Sequence, residues 1–502
     1  MTELILGPPG TGKTSTLINI VDDEIGRGTP PNQIGYVSFT KRASHESVER
    51  SCKKFNLVPN DLPYFRTLHS LCFRALGIRQ ADVFEGEKVQ EWAKYAKVKV
   101  TGHWSEDGTL SGYENGDRVL FIENMSRIRG ITLRDQYLED PEPTLSWRQL
   151  ETAALSLEKF KKEYGLLDYT DMIQMFVDSN ICVPLAVLLV DEAQDLSALQ
   201  WRMVNKLSLG VRRVVVAGDD DQAIYAWAGA DVNHLINLQG RVRVLNQSWR
   251  VPKNVQEIAN SIITKVKVRR PKSWRPRLGV EGIVDRVFNF ESVNLDGDDI
   301  MVLARNAFVL KNIEAFLRSQ AIIYEKRGHP SIKSKYLQAM LIWERLRKGE
   351  FASVADIRRV YEYMSTGIGV KRGFKKMTGF GDDMEMNLSG LKVHGGLLTD
   401  AIWHEALDRI PLQDREYMLA ARQRGEKFST KPRIRISTIH TAKGAEARHV
   451  ILMLEVARRT DREAELNPDD ELRVWYVAVT RAKERLTLVE PQSTQSLRCK
   501  WL

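Results

Sequence analysis

The segment 7–14 limits what this chain can fold into more than any other feature of its sequence. It reads Gly7-Pro8-Pro9-Gly10-Thr11-Gly12-Lys13-Thr14. It fits the pattern GxxxxGK[ST] and lies between a short apolar run and a helical pattern. In such a loop the glycines let backbone N–H groups surround phosphates, the lysine reaches the outer phosphates and the last hydroxyl binds Mg²⁺. We therefore predict that this segment and the adjacent Ser15 bind a nucleoside triphosphate, with Lys13 catalytic and Thr14 a metal ligand.

A second segment places two carboxylates at the end of an apolar run. Residues 184–190 lead directly into Asp191 and Glu192. Asp191 can hold a metal ion through water, and Glu192 can orient and activate an attacking water. The alternative is a surface acidic pair, against which the apolar run and the upstream glycine-rich loop both count. The two segments together predict hydrolysis of a nucleoside triphosphate.

The charge balance favours a polyanionic partner. Lys and Arg number 74 against 65 Asp and Glu, which gives a net charge of +9. Such an excess fits nucleic acid binding, although a basic protein without such a partner remains the alternative. The four cysteines form no CxxC pair and have no His in zinc-ligand spacing, so we expect no zinc, no disulfides and a reducing compartment. The chain shows no signal peptide and no apolar run of membrane-spanning length, so we expect a cytoplasmic protein without a membrane partner.

The apolar runs predict an α/β fold with two parallel sheets, because turns and helical patterns follow them. The first set is 4–6, 34–39, 184–190 and 211–217, and the second is 282–288, 299–304, 434–439, 449–454 and 485–489. Two long, polar, mostly helical stretches separate the runs and are interpreted as inserted domains. The predicted domains are a first core (1–75 and 166–245) with its insert (76–165), and a second core (246–330 and 431–502) with its insert (331–430).

Eight segments resemble the motifs of superfamily 1A helicases, the UvrD/Rep/PcrA group, and they occur in that family's order. They are GPPGTGKT (7–14), VSFTKRAS (37–44), FRTLHSLC (65–72), VDEAQD (190–195), VAGDDDQAIYAWAGA (216–230), LNQSWRVP (245–252), ISTIHTAKGAEARHVIL (436–452) and ELRVWYVAVTRAKERL (471–486). The resemblance implies two RecA-like P-loop motor domains, each interrupted by an insert. It also implies an ATP-dependent enzyme that acts on DNA.

The resemblance assigns catalytic roles to matched positions. Gln222 would sense the γ-phosphate, and Arg250 and Arg481 would contact it from the second motor domain as arginine fingers. Trp249 would stack on adenine, and Glu446 would hold the ribose or couple the nucleotide to DNA. Ser15 stands where the family often has an arginine that packs on the base, so we expect looser discrimination among nucleoside triphosphates.

Other matched positions would face DNA. Phe39, Tyr225 and Trp227 would flank unstacked bases, since aromatic faces stack on any base. Core packing is the alternative for Tyr225 and Trp227. Further positions would lie along the strand: Thr40, Thr67, His69, Thr438 and His440.

Two more segments are candidate DNA contacts. Residues 265–277 contain seven basic side chains and Trp274, which suits a phosphate contact or a solvated basic linker. Residues 367–372 resemble the family's GIG hairpin near duplex DNA, where Gly367, Gly369 and Lys371 would approach a phosphate. The alternative there is a glycine-rich turn between helices.

The sequence thus predicts a helicase that uses ATP and Mg²⁺, moves 3′→5′ on single-stranded DNA and unwinds duplexes. Single-stranded DNA and its junctions with duplex are the expected partners, and single-strand-binding, repair or replication proteins are candidate partners. RNA is not excluded as a substrate. The alternatives are a translocase that strips proteins with little unwinding, an ATP-switched loading protein, and a P-loop kinase or transporter ATPase. The motifs after residue 430 count against the last of these.

Overall fold

The structure, a computed structural model, describes residues 2–39, 41–101, 114–139, 143–428, 430–491 and 497–502. Strands and helices alternate along most of this part of the chain. The strands of its first half are β1 (Thr2–Leu6), β2 (Ile34–Ser38), β3 (Phe65–Thr67), β4 (Val187–Asp191), β5 (Arg213–Gly218) and β6 (Arg241–Val244). Those that follow are β7 (Ile283–Val287), β8 (Ile300–Ala304), β9 (Tyr324–Lys326), β10 (His329–Pro330), β11 (Ala352–Ser353), β12 (Glu385–Met386), β13 (Ile434–Thr438), β14 (Ala447–Met453), β15 (Glu455–Val456), β16 (Ala482–Val489) and β17 (Leu497–Arg498).

The helices cover the sheets and build the inserts. In the first half they are α1 (Lys13–Gly26), α2 (Lys41–Phe55), α3 (Leu68–Ala75), α4 (Glu87–Tyr95), α5 (Asn115–Arg129), α6 (Leu133–Leu138), α7 (Trp147–Tyr164), α8 (Tyr169–Asp178), α9 (Ala198–Leu207) and α10 (Val232–Asn237). In the second half they are α11 (Lys253–Ile263), α12 (Ala307–Ser319), α13 (Ser334–Arg347), α14 (Val354–Tyr361), α15 (Leu388–Val393), α16 (Trp403–Ala406), α17 (Leu412–Gln423), α18 (Arg458–Leu466) and α19 (Pro468–Val479).

The first sheet is parallel throughout and has the order β3-β2-β4-β5-β1-β6. Its central strands are buried on both faces, which is why they appear in the sequence as unbroken apolar runs. The carboxyl ends of parallel strands lie at one edge of a sheet. That edge therefore brings together the loop after β1, Asp191 at the end of β4 and Asp219 after β5.

The second sheet has the order β10-β9-β13-β8-β14-β16-β7 and is parallel except for the short terminal strand β10. Its core continues into α11 and α19, which pack against each other. The carboxyl end of β13 presents Thr438 and, two residues on, His440. The observed α/β class with two mainly parallel sheets is the predicted one.

Each predicted strand is present, but some ends differ. The predicted run 184–190 corresponds to β4, which begins three residues later because Leu185 closes a turn onto the Val183 carbonyl. The short strands β9–β12, β15 and β17 were not predicted, and neither were β3 and β6 of the first sheet. Strand β3 has three residues, and β6 reads Arg-Val-Arg-Val with every residue exposed, so neither forms an apolar run.

The insert within the second sheet carries its own apolar core. That core is made mainly from α13 to α17 and includes the small sheet β11–β12. The insert within the first sheet has a separate core around Trp92, Leu150 and Phe160. No helix in the described part of the chain is long and apolar enough to cross a membrane.

Candidate functional site

The loop between β1 and α1 has the backbone shape that phosphate binding requires. Gly10 and Gly12 have φ values of +73° and +83°, which favour glycine. A Cβ atom on Gly7 would lie 1.9 Å from Cγ of Lys13, so only glycine fits beneath that side chain. Lys13 begins α1 and donates from Nζ to the Gly7 carbonyl at 3.2 Å. The loop thus surrounds the amino end of a helix, where backbone N–H groups are available to an anion.

The two carboxylates after β4 have different environments. Asp191 is buried and accepts hydrogen bonds from the Tyr36 hydroxyl at 2.6 Å and from the Glu192 backbone N–H at 2.9 Å. Glu192 has φ +54°, a conformation unusual for a non-glycine residue, and its Oε1 lies 3.8 Å from Nζ of Lys13. Gln194 donates to the other oxygen of Glu192 at 2.5 Å. The turn directs one carboxylate into the sheet and the other towards Lys13.

Electrostatics separate the two carboxylates further. Burial and the charge of Glu192 raise the pKa of Asp191. Burial would also raise the pKa of Glu192, but Lys13, Lys443 and the hydrogen bond from Gln194 outweigh it and lower that pKa. Glu192 is therefore ionised at neutral pH, as a residue that orients and activates water must be.

Thr14 and Asp191 fit the needs of a magnesium ion bound with a nucleotide. Mg²⁺ takes oxygen ligands and obtains most of them from phosphates and water, so one hydroxyl and one carboxylate suffice from the protein. Thr14 and Asp191 line the same cleft. Among the described residues no group of three or more His, Cys, Asp or Glu side chains could hold a metal ion by itself.

Arg481 reaches this cleft from the second sheet. It follows α19, is buried, and donates from Nη2 to Oε1 of Gln222 at 2.9 Å. Its Nε donates to the Val477 carbonyl at 2.9 Å, which fixes the guanidinium against its own helix. Burial and the neighbouring Arg250 lower the pKa of Arg481 to about 9. The structure therefore places two of the predicted catalytic side chains, Gln222 and Arg481, in direct contact across the cleft.

The segment 248–250 closes over the glycine-rich loop. The Ser248 hydroxyl donates to the Pro9 carbonyl at 2.8 Å, and the Trp249 N–H donates to the Gly10 carbonyl at 2.9 Å. A Cβ atom on Gly10 would lie 2.4 Å from Cβ of Arg250, so this glycine is needed for the close approach of the two halves. The Trp249 side chain remains 68% exposed at the rim of the cleft.

Arg250 and Glu446 form an ion pair in the same cleft. Lys483 lies 2.5 Å from the other oxygen of Glu446, so this carboxylate holds two cations. The cleft has a volume of about 810 Å³, and its wall also includes Pro8, Thr11 and Gly12. Except for Gly7 and Pro9, the predicted nucleotide residues from both parts of the chain therefore line one cavity.

Lys443 is a central residue of the cleft that sequence reasoning missed. Its Nζ lies 2.6 Å from both carboxylate oxygens of Asp195 and donates to the Gln222 carbonyl at 2.7 Å. It also lies 4.9 Å from the ring centre of Tyr225. Its position in the motif 436–452, three residues before Glu446, was the sequence signal that could have identified it as a cleft residue.

Arg50 and Glu46 were also missed. They form an i,i+4 ion pair on α2 at 2.5 Å, and Nη1 of Arg50 lies 3.5 Å from the Ser15 hydroxyl. Both line the nucleotide cleft. Arg50 thus places a positive charge beside Ser15, the position where the family often has an arginine.

The aromatic residues predicted to face DNA form a cluster between the two sheets. The ring of Tyr225 lies 5.6 Å from that of Phe39 and 6.3 Å from that of Trp227, and Trp227 lies 6.0 Å from His440. The Tyr225 hydroxyl donates to the His440 carbonyl at 3.1 Å. The buried indole N–H of Trp227 has no acceptor within the described residues. The rings therefore pack against one another and leave one donor without an acceptor among the described residues, and their contact with DNA stays a prediction.

The remaining predicted strand contacts have other local roles. Thr67 caps α3 by accepting from the Ser70 N–H at 3.3 Å, and the Thr438 hydroxyl lies 2.9 Å from that of Thr441. His69 lies with Phe39 in a pocket of about 870 Å³ beside the first insert, and burial lowers its pKa to about 4. Thr40 lies outside the described residues.

The segment 367–372 forms a tight, exposed turn. Gly367 has φ +87°, and its N–H donates to the Val370 carbonyl at 2.8 Å. The Lys371 N–H donates to the Gly396 carbonyl at 2.8 Å, while Ile368 is exposed at the tip. Gly369 packs against Met364. A glycine-rich turn is therefore present, and its contact with DNA stays a prediction.

The structure corrects both interpretations of the basic segment 265–277 for two of its seven basic side chains, Arg269 and Lys272, whereas Lys265, Lys267 and Arg275 are exposed and both interpretations stay open for them. The side chain of Lys272 is fully buried, with Nζ 3.2 Å, 2.6 Å and 2.9 Å from the carboxylates of Asp219, Asp220 and Asp221. Arg269 donates two hydrogen bonds to Asp221, and Trp274 is buried in the second core. Two of the segment's seven positive charges are thus paired with carboxylates of the acidic run 219–221, which lies next to it in the fold.

Two family models match the chain. The UvrD/REP helicase N-terminal domain matches residues 1–243, and the UvrD-like helicase C-terminal domain matches residues 415–493. Together they cover more than half of the chain and include every residue that lines the nucleotide cleft except those at 249, 250 and 277.

Similar curated proteins carry helicase names. The chain is 26% identical over 306 residues to the ATP-dependent DNA helicase PcrA of Staphylococcus epidermidis, which covers 56% of this chain and 40% of that protein. It is 25% identical over 305 residues to the protein of the same name from Staphylococcus aureus, with the same coverage. It is 25% identical over 294 residues to a probable DNA helicase II homolog of Mycoplasma capricolum, which covers 53% of this chain and 40% of that protein. The matches thus span less than half the length of these relatives. With the family models and the geometry of the cleft, they show that the chain belongs to the UvrD/Rep helicase family.

Proposed function

We propose that this protein is an ATP-dependent motor that moves 3′→5′ on single-stranded DNA and unwinds duplex DNA. One observation carries the proposal: the nucleotide cleft and the aromatic cluster share two chain segments. The segment after β5 supplies Gln222 to the cleft and Tyr225 and Trp227 to the cluster. The segment after β13 supplies His440 to the cluster and Glu446 to the cleft. A change at the nucleotide is thus transmitted to base-stacking side chains within a few residues.

Positive charge from both halves of the chain explains why ATP would close the cleft. Lys13 belongs to the domain built on the first sheet, and Arg250 and Arg481 belong to the domain built on the second sheet. A triphosphate between them is attracted from both sides, and the same charges stabilise the transition state of phosphoryl transfer. Glu192 orients the attacking water, and Gln222 and Arg481 contact the transferred group. After hydrolysis the attraction across the cleft is weaker, and the halves separate.

The magnesium ion would be held by Thr14 and Asp191. Bound with ATP, it neutralises charge on the phosphates. The protein keeps Asp191 in place through the Tyr36 hydroxyl and the Glu192 N–H. These contacts leave the Thr14 hydroxyl and a carboxylate at the edge of the sheet where the phosphates would lie.

Movement requires that the grip on DNA differs between the closed and the open cleft. Phe39 belongs to the first half and His440 to the second, with Tyr225 and Trp227 between them. Opening the cleft must change the spacing of these rings. We infer that they hold bases alternately, without regard to sequence, because aromatic faces stack on every base.

The direction of movement rests on the form GDDDQAIYAWAGA, which resembles that of the 3′→5′ group. The base of the nucleotide would lie between Trp249 at the rim and Arg50 beside Ser15, and both can contact the face of a ring. We therefore propose that GTP and CTP are also substrates.

The first experiment measures ATP hydrolysis with and without single-stranded DNA, for the wild type and for Lys13→Ala. Strong stimulation by DNA that is lost in the variant supports the motor. Hydrolysis that ignores DNA contradicts it and supports a nucleotide-driven switch. Strand displacement on duplexes with a 3′ or a 5′ tail then gives the polarity. Fast release of a bound protein with slow strand displacement would identify a translocase that strips proteins.

A further inference from the structure

Three consecutive carboxylates lie buried between the two motor domains. Asp219, Asp220 and Asp221 follow β5, and their side chains are at most 1% exposed. The turn that contains them packs against α19 of the second domain. Burying several like charges together is strongly unfavourable unless cations are buried with them. The interface therefore depends on cations that fit the same site.

Lys272 supplies the central cation, and it comes from the second domain. Its Nζ contacts all three carboxylates, at 3.2 Å, 2.6 Å and 2.9 Å. Next to it the Ser248 N–H donates to the Arg275 carbonyl at 2.9 Å. The Gln256 side chain donates to the Trp274 carbonyl at 2.5 Å. Lys272 is therefore fixed to the segment that carries Trp249 and Arg250, while its charge lies among carboxylates of the first domain.

One of the three carboxylates holds the amide of Gln222. Nε2 of Gln222 donates to Oδ2 of Asp219 at 2.7 Å, so its Oε1 is turned towards Nη2 of Arg481 at 2.9 Å. A side-chain amide has a donor nitrogen and an acceptor oxygen. When an acceptor on one side binds the nitrogen, the oxygen must face the opposite side. Asp219 thus determines which end of Gln222 faces Arg481.

Arg269 provides a contrast within the same cluster. It pairs with Asp221 through two hydrogen bonds of 2.7 Å and 2.5 Å. Asp221 makes no hydrogen bond to the Gln222 side chain. Lys272 and Arg269 therefore both neutralise the carboxylates, but Lys272 also contacts the one that orients Gln222.

We propose that Lys272 is a positioning residue that acts through Asp219 on Gln222 and so ties the γ-phosphate site to the segment carrying Trp249 and Arg250. The inference rests on the proposed function, since it assumes that Gln222 takes part in ATP hydrolysis. Closure of the second domain over the nucleotide delivers Lys272 together with Arg250. The orientation of Gln222 is thereby linked to closure.

The test is a double-mutant cycle on Lys272 and Gln222, measured as kcat and KM of DNA-stimulated ATP hydrolysis. Lys272→Met removes the charge and keeps a similar length. It is expected to lower kcat by about tenfold or more, because misplaced catalytic groups lose rate steeply, with KM for ATP changed by less than about twofold. In a Gln222→Ala background the same substitution is expected to lower kcat by less than about twofold, because the group it positions is gone.

Arg269→Gln is the matched control, since it removes the same charge from the same cluster. It is expected to leave kcat within about twofold of the wild type. Equal losses in Lys272→Met and Arg269→Gln, or a Lys272→Met loss that persists in the Gln222→Ala background, would overturn the proposal and leave Lys272 a structural residue. An unchanged kcat in Lys272→Met would overturn it as well.

Circular dichroism and thermal unfolding show whether Lys272→Met is folded. If it is not, Asp219→Asn takes its place, because asparagine has one oxygen for two donors and cannot hold both Lys272 and Gln222. The same loss of kcat, absent with Gln222→Ala, is then expected. Failure of the proposed function is visible separately, as a wild-type rate that DNA does not stimulate. In that case the cycle is run on the basal ATPase rate.

Discussion

Arg481 and Gln222 contact each other across the cleft through a hydrogen bond of 2.9 Å, and both side chains are buried. Burial of a charged guanidinium is energetically unfavourable, and burial lowers the pKa of Arg481 to about 9. The side chain nevertheless keeps hydrogen bonds both to its own domain, at Val477, and to the first domain, at Gln222. The guanidinium of Arg481 therefore spans the cleft between the two domains, where we propose that it contacts the γ-phosphate.

Arg481→Ala should therefore reduce catalysis much more than nucleotide binding. Arginine fingers contribute about 10³-fold or more to kcat in phosphoryl transfer, and we expect a loss of about that size with KM for ATP changed by only a few fold. Steady-state ATPase assays with saturating single-stranded DNA measure both parameters. Arg473→Ala, on the same helix but outside the cleft, serves as the control for damage to α19. A loss that appears mainly in KM would contradict the assignment.

Trp227→Ala should impair movement on DNA more than ATP binding. Loss of one stacked base costs about 1–3 kcal/mol, so affinity for single-stranded DNA should fall roughly 5- to 150-fold. The KM for ATP should stay near the wild-type value. Stopped-flow translocation and fluorescence anisotropy measure the effects on DNA, and steady-state ATPase assays measure the KM for ATP. Trp249→Ala is the control, because it removes an indole outside the aromatic cluster. Its affinity for single-stranded DNA should equal that of the wild type. Equal effects of Trp227→Ala on DNA affinity and on the KM for ATP would argue for simple core packing.

The kcat/KM values for hydrolysis of GTP and CTP should be close to the value for ATP. Sites that read a base edge by hydrogen bonds discriminate by about 10⁴-fold, whereas contact with ring faces does not. We expect kcat/KM values for the three nucleotides within about tenfold of each other, and a similar proportional fall for all three in Trp249→Ala. Strong preference for ATP would show that an edge of adenine is read.

Gly10→Ala should block closure of the cleft. The added Cβ would meet Cβ of Arg250 at 2.4 Å, whereas an added Cβ on Gly12 would meet nothing within 4 Å. Both glycines have positive φ, so the backbone strain of the two substitutions is matched. We expect kcat to be lower in Gly10→Ala than in Gly12→Ala by about tenfold or more, since closure brings Arg250 to the phosphates. Equal activities would show that this contact is absent in the active state.

His69 should make folding depend on pH in a defined range. Burial lowers its pKa to about 4, below the value of about 6.5 in an unfolded chain. The unfolded state therefore binds more protons than the folded state as the pH falls below 6.5, and stability is lost between about pH 6.5 and 4. In His69→Asn the stability difference between pH 7 and pH 5 should shrink by about 1–2 kcal/mol. Urea unfolding at the two pH values measures it, and an unchanged difference would place a protonated imidazole at this site.

The sequence was sufficient for the parts that depend on local pattern. The glycine-rich loop, the carboxylates after β4 and the central strands all follow from short apolar runs and fixed spacings. The nucleotide residues from both halves could be assigned because their motifs have a known order. Their meeting in one cleft agrees with that assignment.

The parts that depend on distant partners were not readable. Lys272 and Asp220 are 52 positions apart, and nothing local shows that a basic run will be buried against an acidic one. Lys443 was hidden for the same reason, since its partners Asp195 and Gln222 lie more than 200 residues away. Composition suggested a phosphate contact for segment 265–277, whereas tertiary structure pairs Arg269 and Lys272 with carboxylates inside the protein.

The strand β6 ends the first sheet in the order observed, and all four of its residues are exposed. A terminal strand offers unpaired backbone donors and acceptors to any strand from a neighbouring molecule. Arg241 and Arg243 alternate with its two valines, so two such edges brought together would place like charges side by side. The same sequence that made β6 hard to recognise thus discourages accidental polymerisation through this edge.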